Sequence, residues 1–217
     1  VVPGDLKKTT IWRLPIRWLQ NGLLAVSLLY LSIYIPIAGV LYFPLWYDAN
    51  CHWHDRCHRF GEQKAGERID ELTAYMRHMG ELSSSDWTLK ETWHLEEVRR
   101  IFDALFFAGL AAAGLLIFLF NAKTLRRAGL ANIGILLCLC GVLPFFGYFW
   151  RDVFHEWLFD NTYWKNNPGD VSYYIMPRVF FKHTMMLVIA VSALINAGVF
   201  FGFAYPHKKR PAKTRKQ

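Results

Sequence analysis

Two stretches of this 217-residue chain set a histidine beside carboxylates at helical spacing. In ETWHLEEVRRIF (91–102), Glu91 and Glu97 stand three residues either side of His94; in WRDVFHEWLF (150–159), Asp152 precedes His155 by three. Residues three apart share a helix face. A carboxylate near one imidazole nitrogen fixes the tautomer and raises the basicity of the other, so both histidines read as general bases. A third stretch, CHWHDRCHRF (51–60), crowds two cysteines and three histidines together. Cys51 and Cys57 can close a small disulfide loop if they face an oxidising compartment. With His52, His54 and His58 they can instead hold zinc or copper. The spacing fits no standard zinc finger, so a disulfide or unpaired residues rank ahead of a metal, and the cluster is expected to lie apart from the chemistry. His78, on an amphipathic helix, is expected to be solvated; His183 and His207 are expected at membrane interfaces.

The elements that must position these groups follow from the gaps between charges. Residues 18–47, 104–122, 128–150 and 184–206 carry no charge, and about 20 apolar residues suffice to cross a bilayer as a helix. An all-α membrane protein with four transmembrane helices is predicted. Its parts are an arm at 1–17, helices at 18–47, 101–122, 128–150 and 184–206, a turn at 123–127, outer segments at 48–100 and 151–183, and a tail at 207–217. Pro36 and Pro44 mark where the first helix kinks or ends. The first run is too long for a cleavable signal. Thirteen of the 25 Lys and Arg residues fall in the arm, the turn and the tail, together with Asp5 alone among the acids. By the positive-inside rule both termini are cytoplasmic and the two larger segments face outward. The net charge of +8 then serves topology and contact with anionic phospholipid. Its short membrane-flanking clusters argue against nucleic acid.

The larger outer segment is predicted to be a small, mainly helical cap. Ile69, Leu72, Met76 and Met79 recur on one helix face that Gly80 stops. Thr88 and Glu91 form a capping box that opens a helix running through to residue 122. The third helix is expected to continue outward past Pro144 and Gly147, which can bend it. Cys138 and Cys140 are expected to be buried thiols. Helix rise places His94 about 10 Å and His155 about 9 Å above the hydrocarbon edge. The interfacial layer, where lipid ester bonds lie, is about 5–8 Å thick per leaflet. Two imidazoles at that depth suit general-base chemistry on a lipid ester.

ETWHLEEVRRIF, and FHEWLFDNTYWKNNPGDVSYYIMPRVFF at 154–181, resemble the two signature motifs of the bacterial lipoprotein intramolecular transacylases. The resemblance spans about 40–206. His94 and His155 align with that family's two essential histidines, and the motifs add Glu91, Glu97, Arg99, Asp152 and Trp164 as supporting residues. Glu97 replaces the usual Asp, and the Cys/His cluster is not a family feature. The resemblance implies an enzyme of the bacterial cytoplasmic membrane with an extracytoplasmic active site. Such enzymes move the sn-2 acyl chain of a diacylglyceryl lipoprotein to the α-amino group of its N-terminal cysteine. No cofactor is implied, and no acyl-CoA, since donor and acceptor are one molecule; the sequence has no Gly-rich phosphate loop. The rivals are a haem or metal carrier using the outer His and Cys residues, and a non-catalytic membrane adaptor.

Overall fold

The computed structural model describes residues 8–203, with side chains described from residue 17 onward. The first seven residues and the basic tail at 207–217 lie outside the described residues. Within them the order is α1 Lys8–Tyr42, α2 Leu45–Trp53, α3 Asp55–Phe60, α4 Glu62–Met76, α5 Leu89–Phe118 and α6 Ala122–Leu139, with no strand among the described residues. The chain continues from α6 through a 3₁₀ stretch (Cys140–Phe145), α7 (Phe146–Tyr148), a π-helix (Phe149–His155) and α8 (Glu156–Leu158). It ends with α9 (Val171–Ile175) and α10 (Arg178–Gly202). Among the described residues four helical stretches are long and apolar enough to cross a membrane: Arg17–Tyr42, Leu89–Phe118, Ala122–Leu158 and Arg178–Gly202.

Pro36 does not end α1, which runs unbroken to Tyr42. A proline lacks the N–H that would bond the carbonyl four residues back, here that of Ser32. The Ser192 hydroxyl of α10 donates to this Ser32 carbonyl at 2.8 Å, and both serines are fully buried. Backbone groups freed at a proline in an apolar setting must find such a partner, so the proline is also a docking point for α10. Pro44 sits at the N-cap of α2. Close packing continues where α6 meets α10. A Cβ on Gly129 would lie 2.7 Å from the Asn196 carbonyl oxygen, and the Asn132 amide donates to Asn196 Oδ1 at 3.0 Å. Small residues and buried amides are what hold helices together where lipid removes the hydrophobic drive. Cys138 is exposed on the outside of this packing and Cys140 half-buried, contrary to the expected burial; apolar neighbours on a bilayer-facing surface ask no burial of a thiol.

The cap has its own apolar core. Ile69, Leu72 and Met76 of α4 pack with Tyr47, Trp87, Leu95, Ile175 and Phe180. Here one expectation fails: α4 stops at Met76, and Met79 is largely exposed. His78 takes the left-handed conformation (φ 59°). The Met79 N–H donates to Ala74 O and the His78 N–H to Tyr75 O, the bond pair of a Schellman motif. His78, and not Gly80, closes the helix. Its ring is hydrogen-bonded to Asp103 Oδ1 at 2.9 Å, tying the end of α4 to α5.

Candidate active site

The Thr88 hydroxyl accepts from the Glu91 N–H, and the Glu91 carboxylate accepts from the Thr88 N–H, so the capping box opens α5 as its sequence predicts. At 30 residues and about 1.5 Å each, the helix is about 45 Å long. Its first turns stand clear of the apolar stretch and carry His94. His155 closes the π-helix towards the C-terminal end of the third span. The His94 and His155 ring centroids lie 6.3 Å apart. Phe159 packs on both rings, and Trp164 lies 4.5 Å from His155. His155 is 6% exposed, while the His94 side chain keeps 17% of its surface open.

The two rings have different partners. His155 Nδ1 lies 2.6 Å from the Trp150 carbonyl oxygen. A carbonyl only accepts, so Nδ1 carries the proton and Nε2 holds the free lone pair. The π-helix allows this, because its wide turn brings residue 155 over the carbonyl of residue 150; such turns recur at functional sites. His94 Nδ1 faces Glu97 Oε2 at 3.7 Å, beyond hydrogen-bond reach. Both of these atoms are buried and lack a hydrogen-bond partner. Glu97 Oε1 accepts from the Asn161 amide at 2.7 Å, and Asn161 O accepts from the Trp164 indole N–H at 3.0 Å.

The family model described as "Lipoprotein intramolecular transacylase Lit" matches residues 22–181, a stretch that contains both histidines. The chain belongs to this family. Among solved structures it is similar to the membrane integral lipoprotein intramolecular transacylase Lit from Bacillus cereus. The TM-score is 0.76 and the identity 17%, over 87% of this chain and 94% of that one. A variant of that protein with a histidine replaced by alanine gives 0.75 and 16%, over 90% and 96%. At such identity the likeness establishes a shared fold. No curated protein matches the chain by sequence. The family and the four-span helical fold are those the two motifs and the charge gaps predict.

The remaining supporting residues of this transacylase-family chain fall in different places. Asp152 is exposed and forms a two-pronged ion pair with Arg151, 2.9 Å on each side; it makes no hydrogen bond to His155. The expected i−3 contact presumes 3.6 residues per turn, which the π-helix does not have. Asp152→Asn is therefore expected to leave the transfer rate within about threefold of wild type, since exposed pairs contribute about 0–1 kcal/mol; steady-state rates of the two proteins check this. Arg99 lies over the Tyr75 ring at 4.0 Å, against the cap and away from the histidines. Glu91 is buried in the first turn of α5, holding Thr88 and the Ser172 N–H.

Cys51 and Cys57 form a disulfide with Cα atoms 5.2 Å apart. This removes the thiolates that a metal site there would need. His52 pairs with the Asp48 carbonyl and His58 with Glu62. Burial, with the nearby Arg56 guanidinium and His183 adding to it, holds the His54 imidazole below the usual histidine range. Among the described residues no three metal-ligating side chains gather. The site residues that sequence reasoning misses are Trp150, Phe159 and Asn161. Only Asn161 leaves a signal: DNTYW is a turn sequence, and the Asn161 side chain does accept the Tyr163 N–H at 3.0 Å.

Proposed function

We propose that this chain moves the sn-2 acyl chain of a diacylglyceryl lipoprotein onto the α-amino group of the same molecule's N-terminal cysteine, with His94 and His155 as its proton carriers. The observation that carries the assignment is the pair of facing imidazoles, one with its tautomer fixed by Trp150. Proton accounting asks for two carriers. The α-ammonium, with a pKa of about 7.7–8, loses one proton before its nitrogen attacks the ester carbonyl and another after the C–N bond forms. The departing glycerol oxygen gains one as the C–O bond breaks, and one proton leaves to water.

His94 suits the first proton, since its ring is partly open and lies beside Glu97. His155 suits the second. Buried, with Nε2 free, it takes the proton from the adduct nitrogen and returns it to the glycerol oxygen. Amine and ester held on one molecule react as an effectively unimolecular pair, a gain of about 7–11 kcal/mol in favourable cases.

The reading places the chain in the bacterial cytoplasmic membrane, both termini inside and the histidines at the outer surface, in contact with phospholipid and lipoprotein. The positive-inside count supports it. The product is an isomer of the substrate, so its intact mass does not change. Tandem mass spectrometry of a lipoprotein N-terminus, with and without this protein, is expected to show one acyl group shifted from glycerol to nitrogen. A gain of one acyl mass would mean that the chain comes from another lipid, and would overturn the proposal.

A further inference from the structure

Beside Glu97 lies an open cavity of about 280 Å³, walled by Trp93, Glu96, Glu97, Arg100 and Tyr163. Four of these recur at i, i+3, i+4 and i+7 and so form one stripe on α5. Tyr163 faces them from the second outer segment, its ring 5.2 Å from that of Trp93. Glu96 is neutralised within the wall by Arg100 at 2.5 Å. Glu97 is not. Among the described residues no lysine or arginine pairs with it, and the one titratable partner within 4 Å is His94. Its Oε2 and the His94 Nδ1 are both buried and make no hydrogen bond. Unmade hydrogen bonds of this kind cost free energy that a donating ligand recovers.

We infer that this cavity seats the N-terminus of the lipoprotein substrate, with the cysteine α-ammonium against the Glu97 carboxylate and the following peptide running outward over the packed Trp93 and Tyr163 rings. The inference rests on the function proposed above. An ammonium brings the N–H donors and the one positive charge that the Glu97 side of the wall lacks, and aromatic faces favour a cation beside them. Passing its first proton to His94 moves the charge from nitrogen to imidazole, so Glu97 is its counter-charge before and after. Glu97 is thereby a binding residue as well as a positioning one.

The test uses two dead-end analogues with ether links in place of both glycerol esters: an S-dialkylglyceryl cysteine peptide with a free α-amine, and its N-acetyl form. Their inhibition constants are measured on the full-length protein in phosphatidylglycerol nanodiscs at about pH 6.5, where the amine is protonated. Wild type is expected to bind the free amine at least about tenfold more tightly than the N-acetyl form, the range of a charged hydrogen bond. Glu97→Gln should reduce that ratio toward one, with Glu97→Asp between the two. An unchanged N-acetyl constant in the variants shows that they fold. Equal ratios in wild type and Glu97→Gln would overturn the inference. Loss of the wild-type ratio on adding phosphatidylethanolamine would overturn it too, assigning the site to a lipid headgroup. A wild type that keeps the ratio yet transfers no acyl group from the diester substrate would sink the proposed function and leave the subsite standing.

Discussion

His155→Ala is expected to slow acyl migration by about 10²–10⁴-fold, the range of general acid–base effects, while the protein still inserts and folds. The ring is buried among Trp150, Phe159 and Trp164, so alanine also leaves a cavity and lowers stability. His155→Asn keeps more of the volume and separates the two effects: its rate should fall as far, its melting temperature less. His94→Ala is expected to fall within the same range. Because both rings serve one reaction, the double variant should lose less than the product of the single losses. The measurement is single-turnover conversion of a diacylglyceryl peptide. A rate for either alanine variant within threefold of wild type would remove that histidine from the reaction.

Glu91→Gln is expected to be the most destabilising single-atom exchange in the cap, by about 2–4 kcal/mol. Glu91 is 2% exposed. One carboxylate oxygen accepts the Ser172 N–H at 2.7 Å, and the other accepts the Thr88 N–H at 3.0 Å and the Thr88 hydroxyl at 2.9 Å. Both oxygens face backbone donors, so either amide orientation in glutamine sets an NH₂ against an N–H. Asp170, itself buried and bonded to Lys90 at 2.6 Å, remains as the second tie between α5 and the chain that follows His155. Activity should therefore drop with warming and recover on cooling. Denaturant unfolding in detergent reads the stability change; a loss of unfolding free energy below about 0.5 kcal/mol would show that the carboxylate is dispensable.

The sequence makes legible whatever depends on local chemistry. Four uncharged runs give the four spans, and Thr88 with Glu91 gives the start of α5. The two motifs give the histidines. What stays hidden depends on backbone geometry that departs from the α-helix or on contacts between distant residues. The π-helix at Phe149–His155 turns Asp152 outward and replaces it by the Trp150 carbonyl, a group that no residue letter signals. Asn161 reaches Glu97 across 64 positions. Pro36 reads as a break, yet the Ser192 hydroxyl that spares the helix comes from the last span. Glu91 shares a helix face with His94, yet the capping box and the Ser172 N–H occupy its carboxylate.

Among the described residues Glu97 has no lysine or arginine partner, and this has a consequence for turnover. The substrate nitrogen arrives as a cation and leaves as an amide, which carries no charge at any pH the enzyme meets. On the proposed seating, the carboxylate attracts only the molecule that has not yet reacted. Product loses that attraction in the step that forms it and exits without a separate opening motion. The same asymmetry sets a direction of use: a lipoprotein already acylated on nitrogen is a poor competitor, so the enzyme keeps working as its product accumulates in the bilayer.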